Sequence, residues 1–239
     1  MQEVVEIAKT VAYALLIALV LRIFLFQPFT IPSDSMEPNL LHGDYIIVSK
    51  WPYGYSKHSI PFSPPIIKGR ILAGEPERGD IIVFKLPSNN KTDYIKRLIG
   101  VPGDRVQVRN GVLYVNDQPL PRARVDADAM RAQGRIAVQE TTADGKPYVT
   151  YSGAGYGDVN NTPVFLVPAG HYFFMGDNRD NSLDSRVSPT TGGVGFVPAE
   201  NLVGKAEIIL LSWDPDAQLF KPWTWFLDAR PSRFFKPLK

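Results

Sequence analysis

The longest apolar run of the chain lies near its N-terminus. Residues 11–21 are uninterrupted apolar sequence, and the run resumes after Arg22 as residues 23–26. From about Val4 to Phe29 the segment is long enough to cross the roughly 30 Å of membrane hydrocarbon as a helix. The bulky residues that follow it are unlike the small residues of a signal-peptide cleavage site. The pattern therefore predicts an uncleaved membrane anchor over residues 1–28, with a buried core helix as the alternative.

Short apolar runs with alternating character follow the anchor. They predict strands over residues 41–50, 81–86, 94–101, 106–109, 112–115, 165–167, 172–175, 194–197 and 203–211. Gly, Pro and Asp turns separate them, and Asn110-Gly111 is a strong hairpin signal. We expect a mainly β chain over residues 29–239, with an antiparallel sheet or barrel-like domain after the N-terminal transmembrane helix.

Three stretches interrupt this pattern. Residues 51–70 predict a long surface loop whose aromatic residues contact lipid headgroups or pack beneath the loop: Trp51, Tyr53, Tyr55 and Phe62. Residues 122–163 have scattered charge and weak alternation, which predicts a variable inserted β subdomain around residues 105–165. The tail after Trp213 is aromatic and basic, with Trp223 and Trp225 among its residues, and it predicts either membrane-interface anchoring or packing against the domain.

Composition excludes several kinds of chemistry. The 239 residues carry 26 basic and 24 acidic side chains, so the concentrated basic surface that nucleic-acid binding needs is not expected. Cysteine is absent, which excludes disulfides, thiol nucleophiles and thiolate metal sites. Three histidines, His42, His58 and His171, leave little scope for imidazole catalysis or zinc binding.

Two serines lie between prolines directly after the anchor. Ser33 and Ser35 fall between Pro32 and Pro38. Proline fixes its own φ and restricts the residue before it to extended conformations, so this segment ends the helix and holds its hydroxyls in fixed directions. It is either a rigid linker or the carrier of a nucleophile.

A serine nucleophile needs a base, and Lys96 is the strongest candidate. In an alternating strand Tyr94, Lys96 and Leu98 share one face, whereas Arg97 belongs to the other. At least one of the two cations must then lie among apolar neighbours, unless the strand is at a sheet edge where a lysine prevents aggregation. Burial would lower the lysine pKa from about 10.4 toward neutrality, as a base requires. The alternative base is His42 or His171, oriented by an acid such as Asp44 or Asp177.

The polar run over residues 176–186 has two interpretations. Asp177, Asp180 and Asp184 could supply oxygen ligands to calcium. Their spacing does not match the EF-hand loop, and Arg179 and Arg186 supply counter-charges within the same run. We therefore expect an internally paired polar loop and no metal.

Four blocks together resemble the ordered motifs of bacterial type I signal peptidases. They are Ile-Pro-Ser-Asp-Ser-Met-Glu-Pro after the anchor, Arg-Gly-Asp before a strand, Tyr-Ile-Lys-Arg-Leu-Ile-Gly-Val-Pro-Gly-Asp, and Gly-Asp-Asn-Arg-Asp-Asn-Ser-Leu-Asp-Ser-Arg. Each block is moderately specific, and four in this order after one anchor are very specific. The resemblance covers nearly all of the β domain except residues 122–163.

The resemblance implies a Ser/Lys catalytic pair. Ser35 corresponds to the nucleophile and Lys96 to its general base. Ser33 matches a hydroxyl that joins the backbone N–H of Ser35 in the oxyanion hole, and Ser182 matches a serine that orients the lysine. The remaining carried-over residues are structural supports: Asp184 and Arg186 as an ion pair, with Asp177 and Arg179. The family often has glycine before the nucleophile, where this chain has Asp34, and we expect that side chain to point away.

The resemblance also implies substrates and a location. Substrates would be exported preproteins cut after small residues at positions −1 and −3, without a cofactor or metal. Shallow apolar pockets would form near Phe29, Ile31, Pro32, Tyr94 and Ile95. The protein would be single-pass in the inner membrane and in contact with the lipid bilayer, with the catalytic domain on the extracytoplasmic, periplasmic side. Two alternatives are a membrane-tethered β module that binds without catalysis and a serine hydrolase that uses His171.

Overall fold

A computed structural model describes residues 2–125, 135–152, 158–215 and 226–238. The N-terminal helix is α1, Gln2–Phe24, and within the described residues it is the one helix long and apolar enough to cross a membrane. None of its side chains is buried, so the alternative of a buried core helix is wrong. The helix ends earlier than predicted because residues 26–30, including Pro28, pair with the sheet as an extended strand.

Fifteen strands follow the helix in the described residues. They are β1 Phe26–Thr30, β2 Asp44–Ser49, β3 Ile81–Lys85, β4 Asp93–Gly100, β5 Arg105–Arg109, β6 Val112–Val115, β7 Gln118–Pro119, β8 Arg122–Arg124, β9 Ile136–Thr141, β10 Pro147–Ser152, β11 Phe165–Leu166, β12 His171–Met175, β13 Val197–Pro198, β14 Leu202–Ser212 and β15 Lys236–Pro237. The expected mainly β fold is confirmed.

The main sheet has eight antiparallel strands and curls into a half-barrel. Its order is β1-β2-β14-β3-β4-β12-β13, and β15 pairs with β14. A four-stranded sheet, β11-β5-β6-β7, and a three-stranded sheet, β10-β9-β8, lie beside it. The hairpin predicted at Asn110-Gly111 joins β5 to β6, and both residues have the positive φ that this turn needs.

Some sequence predictions lie outside the described residues or are wrong. The inserted subdomain predicted around residues 105–165 includes residues 126–134 and 153–157, which are outside the described residues, as are Trp223 and Trp225; its boundaries stay a prediction. The strand predicted at residues 194–197 is wrong except for Val197. Gly195 has a φ of 62°, which is incompatible with continuous strand geometry.

The aromatic residues of the loop after β2 divide between the two expected environments. Trp51 and Phe62 are exposed, but Tyr53 is 2% exposed and its hydroxyl donates to Asp80 Oδ2 at 2.8 Å. Tyr53 therefore packs beneath the loop, which is the second of the two expected alternatives.

The junction between α1 and β1 is short and held on two sides. The hydroxyl of Tyr55 donates to the Phe24 carbonyl at 2.8 Å, and the two rings pack edge to face with centroids 5.6 Å apart. The backbone N–H of Lys50 donates to the Leu25 carbonyl at 3.0 Å. The end of the helix is thus attached to the sheet rather than joined by a free linker.

Candidate active site

Ser35 lies in a short turn that buried neighbours hold in place. Ile31 and Met36 flank it and are 2% and 0% exposed, and a 3-10 turn spans Asp34–Met36. Asn178 contacts the turn twice: its backbone N–H donates to the Ser35 carbonyl, and its side chain donates to the Asp34 carbonyl, both at 3.1 Å. These contacts fix the direction of the Ser35 hydroxyl.

Asp34 causes no backbone conflict at this turn. Its φ is not in the positive region that favours glycine, and its side chain is exposed. The expectation that the side chain points away from the core agrees with this exposure. A glycine is not required at this position for conformational reasons.

Lys96 reaches the serine from β4. Its Nζ donates to Ser35 Oγ at 2.7 Å and to the Ile95 carbonyl at 3.0 Å. The lysine is 4% exposed, so the alternative of an exposed edge lysine is wrong. Burial lowers the pKa of Lys96 to about 8, although the charges of Asp184 and Asp177 oppose the shift. The pKa of Lys96 is therefore much closer to neutral pH than that of a solvated lysine, as a general base would require.

The described contacts of Ser35 Oγ include a second hydroxyl and no histidine. Ser33 Oγ lies 3.4 Å from Ser35 Oγ. His171 Nδ1 instead lies 3.0 Å from the Ala169 carbonyl oxygen, and His58 Nδ1 lies 2.9 Å from Ser63 Oγ. The geometry favours a lysine partner over a histidine partner for this serine.

Ser182 lies beside this pair without making the expected hydrogen bond. Its Oγ is buried and has no hydrogen-bond partner within the described chain. A β-carbon on Gly176 would come within 2.3 Å of Ser182 Oγ and 2.5 Å of the Ser35 carbonyl oxygen. The predicted bond to Lys96 is absent from this structure, although Ser182 and Ser35 both lie against Gly176.

Asp177 holds a buried cation on the strand that carries the lysine. Arg97 Nε and Nη2 donate to its two carboxylate oxygens at 2.7 and 2.8 Å, and Asn39 Nδ2 also donates to it at 2.7 Å. We did not foresee this pair from the sequence. The sequence does contain a signal for it, because Lys96 and Arg97 are adjacent cations on one apolar strand. If Arg97 is buried, it needs a counter-charge on its own face of the strand.

Two further ion pairs stabilise the polar loop. Arg186 donates to Asp184 at 2.8 and 2.9 Å, and Asp184 also accepts the Gly176 N–H at 3.0 Å. Arg179 pairs with Glu140 of β9 at 2.6 and 2.9 Å, which joins the loop to the three-stranded sheet. Of these ion pairs, only Asp184–Arg186 is internal to the loop as we expected, because Arg179 and Asp177 pair with residues of β9 and β4. No cluster of three or more potential metal-ligating side chains occurs within the described ranges.

The residues expected to line substrate pockets do not form one surface. Phe29, Ile31 and Ile95 pack in one apolar cluster, with Ile31 buried in it. Tyr94 packs in a different cluster, against Phe84. Strand alternation explains the separation, because consecutive residues of β4 point to opposite faces. Pro32 is exposed beside the serine turn.

Nearly the whole chain is similar to several known proteins. The family model described as "Signal peptidase, peptidase S26" matches residues 4–213. The chain is 43% identical to signal peptidase I of Rickettsia typhi, over 95% of this chain and 90% of that protein. It is 42% identical to signal peptidase I of Rickettsia canadensis, over 96% of this chain and 92% of that protein.

The chain belongs to the signal peptidase family. Its class is therefore that of the type I signal peptidases, which are serine proteases. A crystal structure of signal peptidase I from Enterococcus faecalis is also similar, with 29% identity, a TM-score of 0.33, and coverage of 55% of this chain and 96% of that one. The apolar α1 fits a transmembrane helix of such a peptidase.

Proposed function

We propose that this signal peptidase cleaves exported preproteins with Ser35 as nucleophile and Lys96 as general base. The observation that carries the proposal is the 2.7 Å contact between Lys96 Nζ and Ser35 Oγ, made by a lysine that is only 4% exposed. A neutral lysine accepts the hydroxyl proton in this contact. The Ser35 hydroxyl and the Lys96 amine then suffice for acyl transfer without a metal or a histidine.

The reaction divides into two halves that use the same base. Ser35 Oγ attacks the scissile carbonyl while its proton passes to Lys96, and the collapsing tetrahedral intermediate expels the new amino terminus, which takes that proton. Water then attacks the acyl-enzyme as Lys96 accepts its proton, and Lys96 returns that proton to Ser35 Oγ when the signal peptide leaves with a free carboxylate. The Ser35 N–H and the Ser33 hydroxyl are the proposed oxyanion donors, since Ser33 Oγ is 3.4 Å from Ser35 Oγ.

An extended substrate fits beside the first half of β4. β12 pairs only with the Arg97–Gly100 half of this strand, so Asp93–Lys96 has β3 on one side and no paired strand on the other in the described chain. A peptide that adds as a strand there brings its scissile bond to Ser35. Half-buried Phe29 and Ile95 leave little room for large side chains, which supports selection of small residues at −1 and −3.

The helix supports a membrane location, and the family supports the choice of membrane and side. Within the described residues α1 is the one helix long and apolar enough to span a membrane, and only β1 separates it from the serine turn, which supports a single-pass protein anchored in the lipid bilayer. We place the membrane as the inner membrane and the β domain on its extracytoplasmic, periplasmic side, where signal peptides emerge.

A preprotein cleavage assay in detergent tests the proposal. Ser35→Ala and Lys96→Ala should each lower kcat by at least about a thousandfold, and Lys96→Arg should not restore it because guanidinium stays protonated. His171→Ala and the exposed Lys68→Ala serve as controls and should retain full activity. Near-normal cleavage by folded Lys96→Ala, or its loss in folded His171→Ala, would refute the mechanism.

A further inference from the structure

A cavity lies at the junction of the helix and the sheet, and Ser35 is not among its lining residues. It has a volume of about 290 Å³, close to the lower end of typical small-ligand pockets. The residues that matter for its chemistry are Arg22, Gln27, His58, Lys85, Lys91 and Asp93. The last turn of α1, the beginning of β1 and the loops after β2 and β3 therefore all contribute to one small space.

The cavity carries an excess of positive charge. Lys85 is neutralised by Asp93, with the ion pair at 2.9 Å. Neither Arg22 nor Lys91 has an ion-pair partner within the part of the chain that the structure describes. Beneath the cavity, Lys50 Nζ donates to the Ser59 carbonyl at 2.7 Å. Burial, followed by the charge of Arg22, lowers the pKa of Lys50 to about 8, which agrees with a locally positive potential.

His58 gives a second, independent indication of a ligand. The residue is 4% exposed, and its Nδ1 lies 2.9 Å from Ser63 Oγ. Its other ring nitrogen, Nε2, is buried and has no partner in the described ranges. Buried polar atoms are rarely left without a partner. When the Ser63 hydroxyl donates to Nδ1, Nε2 of a neutral ring carries the proton and is a donor that lacks an acceptor.

The position of the cavity indicates where an acceptor would come from. Arg22 lies in the last turn of the apolar helix, the depth at which arginine side chains extend to the lipid headgroups. Phe62, which also lines the cavity, is completely exposed and has a φ of 65°, so the loop presents an aromatic ring outward. Exposed aromatic rings are typical of the membrane interface.

We propose that this cavity binds a phosphate-bearing anion, supplied by an anionic lipid headgroup, through Arg22, Lys91 and His58 Nε2. The two unpaired cations balance the negative charge, and the imidazole supplies a directed hydrogen bond. A free phosphate ion has the same chemistry and is the other source that an experiment must separate.

Native mass spectrometry of the full chain in a neutral detergent tests the site without relying on cleavage activity. The probes are dioleoyl phosphatidylglycerol, dioleoyl phosphatidylcholine and inorganic phosphate. We expect phosphatidylglycerol to bind more tightly than phosphatidylcholine. The double variant Arg22→Gln/Lys91→Gln should weaken phosphatidylglycerol binding by about tenfold or more, since each cation near the membrane surface contributes appreciably.

Lys68→Gln is the matched control, because Lys68 is an exposed lysine of the same loop that does not line the cavity. It should bind phosphatidylglycerol like the parent. Inorganic phosphate that binds the parent as tightly as the lipid does, and binds the double variant less, supports the site with free phosphate as its source. Equal binding of the two lipids, or equal weakening by Lys68→Gln, overturns the proposal.

Discussion

Arg97 and Asp177 form an ion pair in which each side chain is only 1% exposed. Arg97 follows Lys96 on β4, and Asp177 follows Gly176, which lies against the Ser35 turn. The pair therefore connects the strand that carries the proposed base to the loop that supports the proposed nucleophile. This explains why two cations are adjacent on β4. Lys96 is the proposed base, and Arg97 joins the strand to the loop through Asp177.

Removing the charge of Asp177 should destabilise the protein strongly. Asp177→Asn leaves Arg97 buried without a counter-charge, which typically costs about 3–5 kcal/mol. We expect a large drop in the thermal unfolding midpoint in detergent. Asp180→Asn in the same loop is the control, because Asp180 is exposed and such changes usually stay within about 0.5 kcal/mol. Equal midpoints for the two variants would contradict the role of the pair.

Cleavage should increase with pH through the titration of Lys96. Burial lowers the pKa of this lysine to about 8, and only its neutral form can take the Ser35 proton. Below pH 8 the rate should fall roughly tenfold per pH unit, and above it the rate should level off. The pH profile of kcat/KM on a soluble peptide substrate measures this. A flat profile between pH 6 and pH 9 would exclude Lys96 as the base.

Ser182→Ala separates an orienting role from a structural one. Because Ser182 Oγ is buried without a partner, its removal should leave the free energy of unfolding unchanged or slightly higher. If the hydroxyl orients Lys96 once substrate is bound, kcat should fall by about tenfold or more while KM changes little.

Ser185→Ala is the comparison for this prediction. Ser185 Oγ accepts the Phe174 N–H at 2.9 Å, so its loss should lower stability by about 1–3 kcal/mol. An unchanged kcat in Ser182→Ala would leave Ser182 without a part in catalysis.

Gly176→Ala should displace the serine turn. Its β-carbon would lie 2.5 Å from the Ser35 carbonyl oxygen, and backbone cannot give way as a flexible side chain does. We expect both stability and kcat per folded molecule to fall. In Gly204→Ala the β-carbon meets the Ser49 carbonyl at 2.2 Å, away from the site. That variant should lose stability but retain kcat. If Gly176→Ala also retained kcat, Gly176 would have no part in the catalytic geometry.

The sequence was sufficient for features that depend on local pattern. Alternation located β3, β4 and most of β14, and motif order identified Ser35 and Lys96, which the fold then brings into contact. Features that depend on distant pairing were not predictable in the same way. The two-residue strands β7 and β15 have no periodicity to detect, and they exist only because a neighbouring strand accepts them.

Side-chain contacts between remote segments show the same limit. The pairing of Arg179 with Glu140 joins the polar loop to β9, and nothing near either residue in the sequence indicates the other. Tyr94 shares a motif with Ile95 but belongs to a different cluster, because the strand turns the two in opposite directions. Proximity in a motif is therefore not proximity on a surface.

In the proposed membrane-anchored arrangement, the short junction between α1 and β1 fixes the distance of the β domain from the membrane. Because the Phe24 carbonyl accepts from Tyr55 of the loop after β2 and the Leu25 carbonyl accepts from Lys50 at the end of β2, the helix cannot extend or swing away from the domain without breaking those contacts. Ser35 is consequently held at a set distance from the bilayer in this arrangement. The substrate segment between the membrane and the scissile bond must then be long enough to reach Ser35. The number of residues between the apolar segment of the substrate and its cleavage site would therefore contribute to recognition.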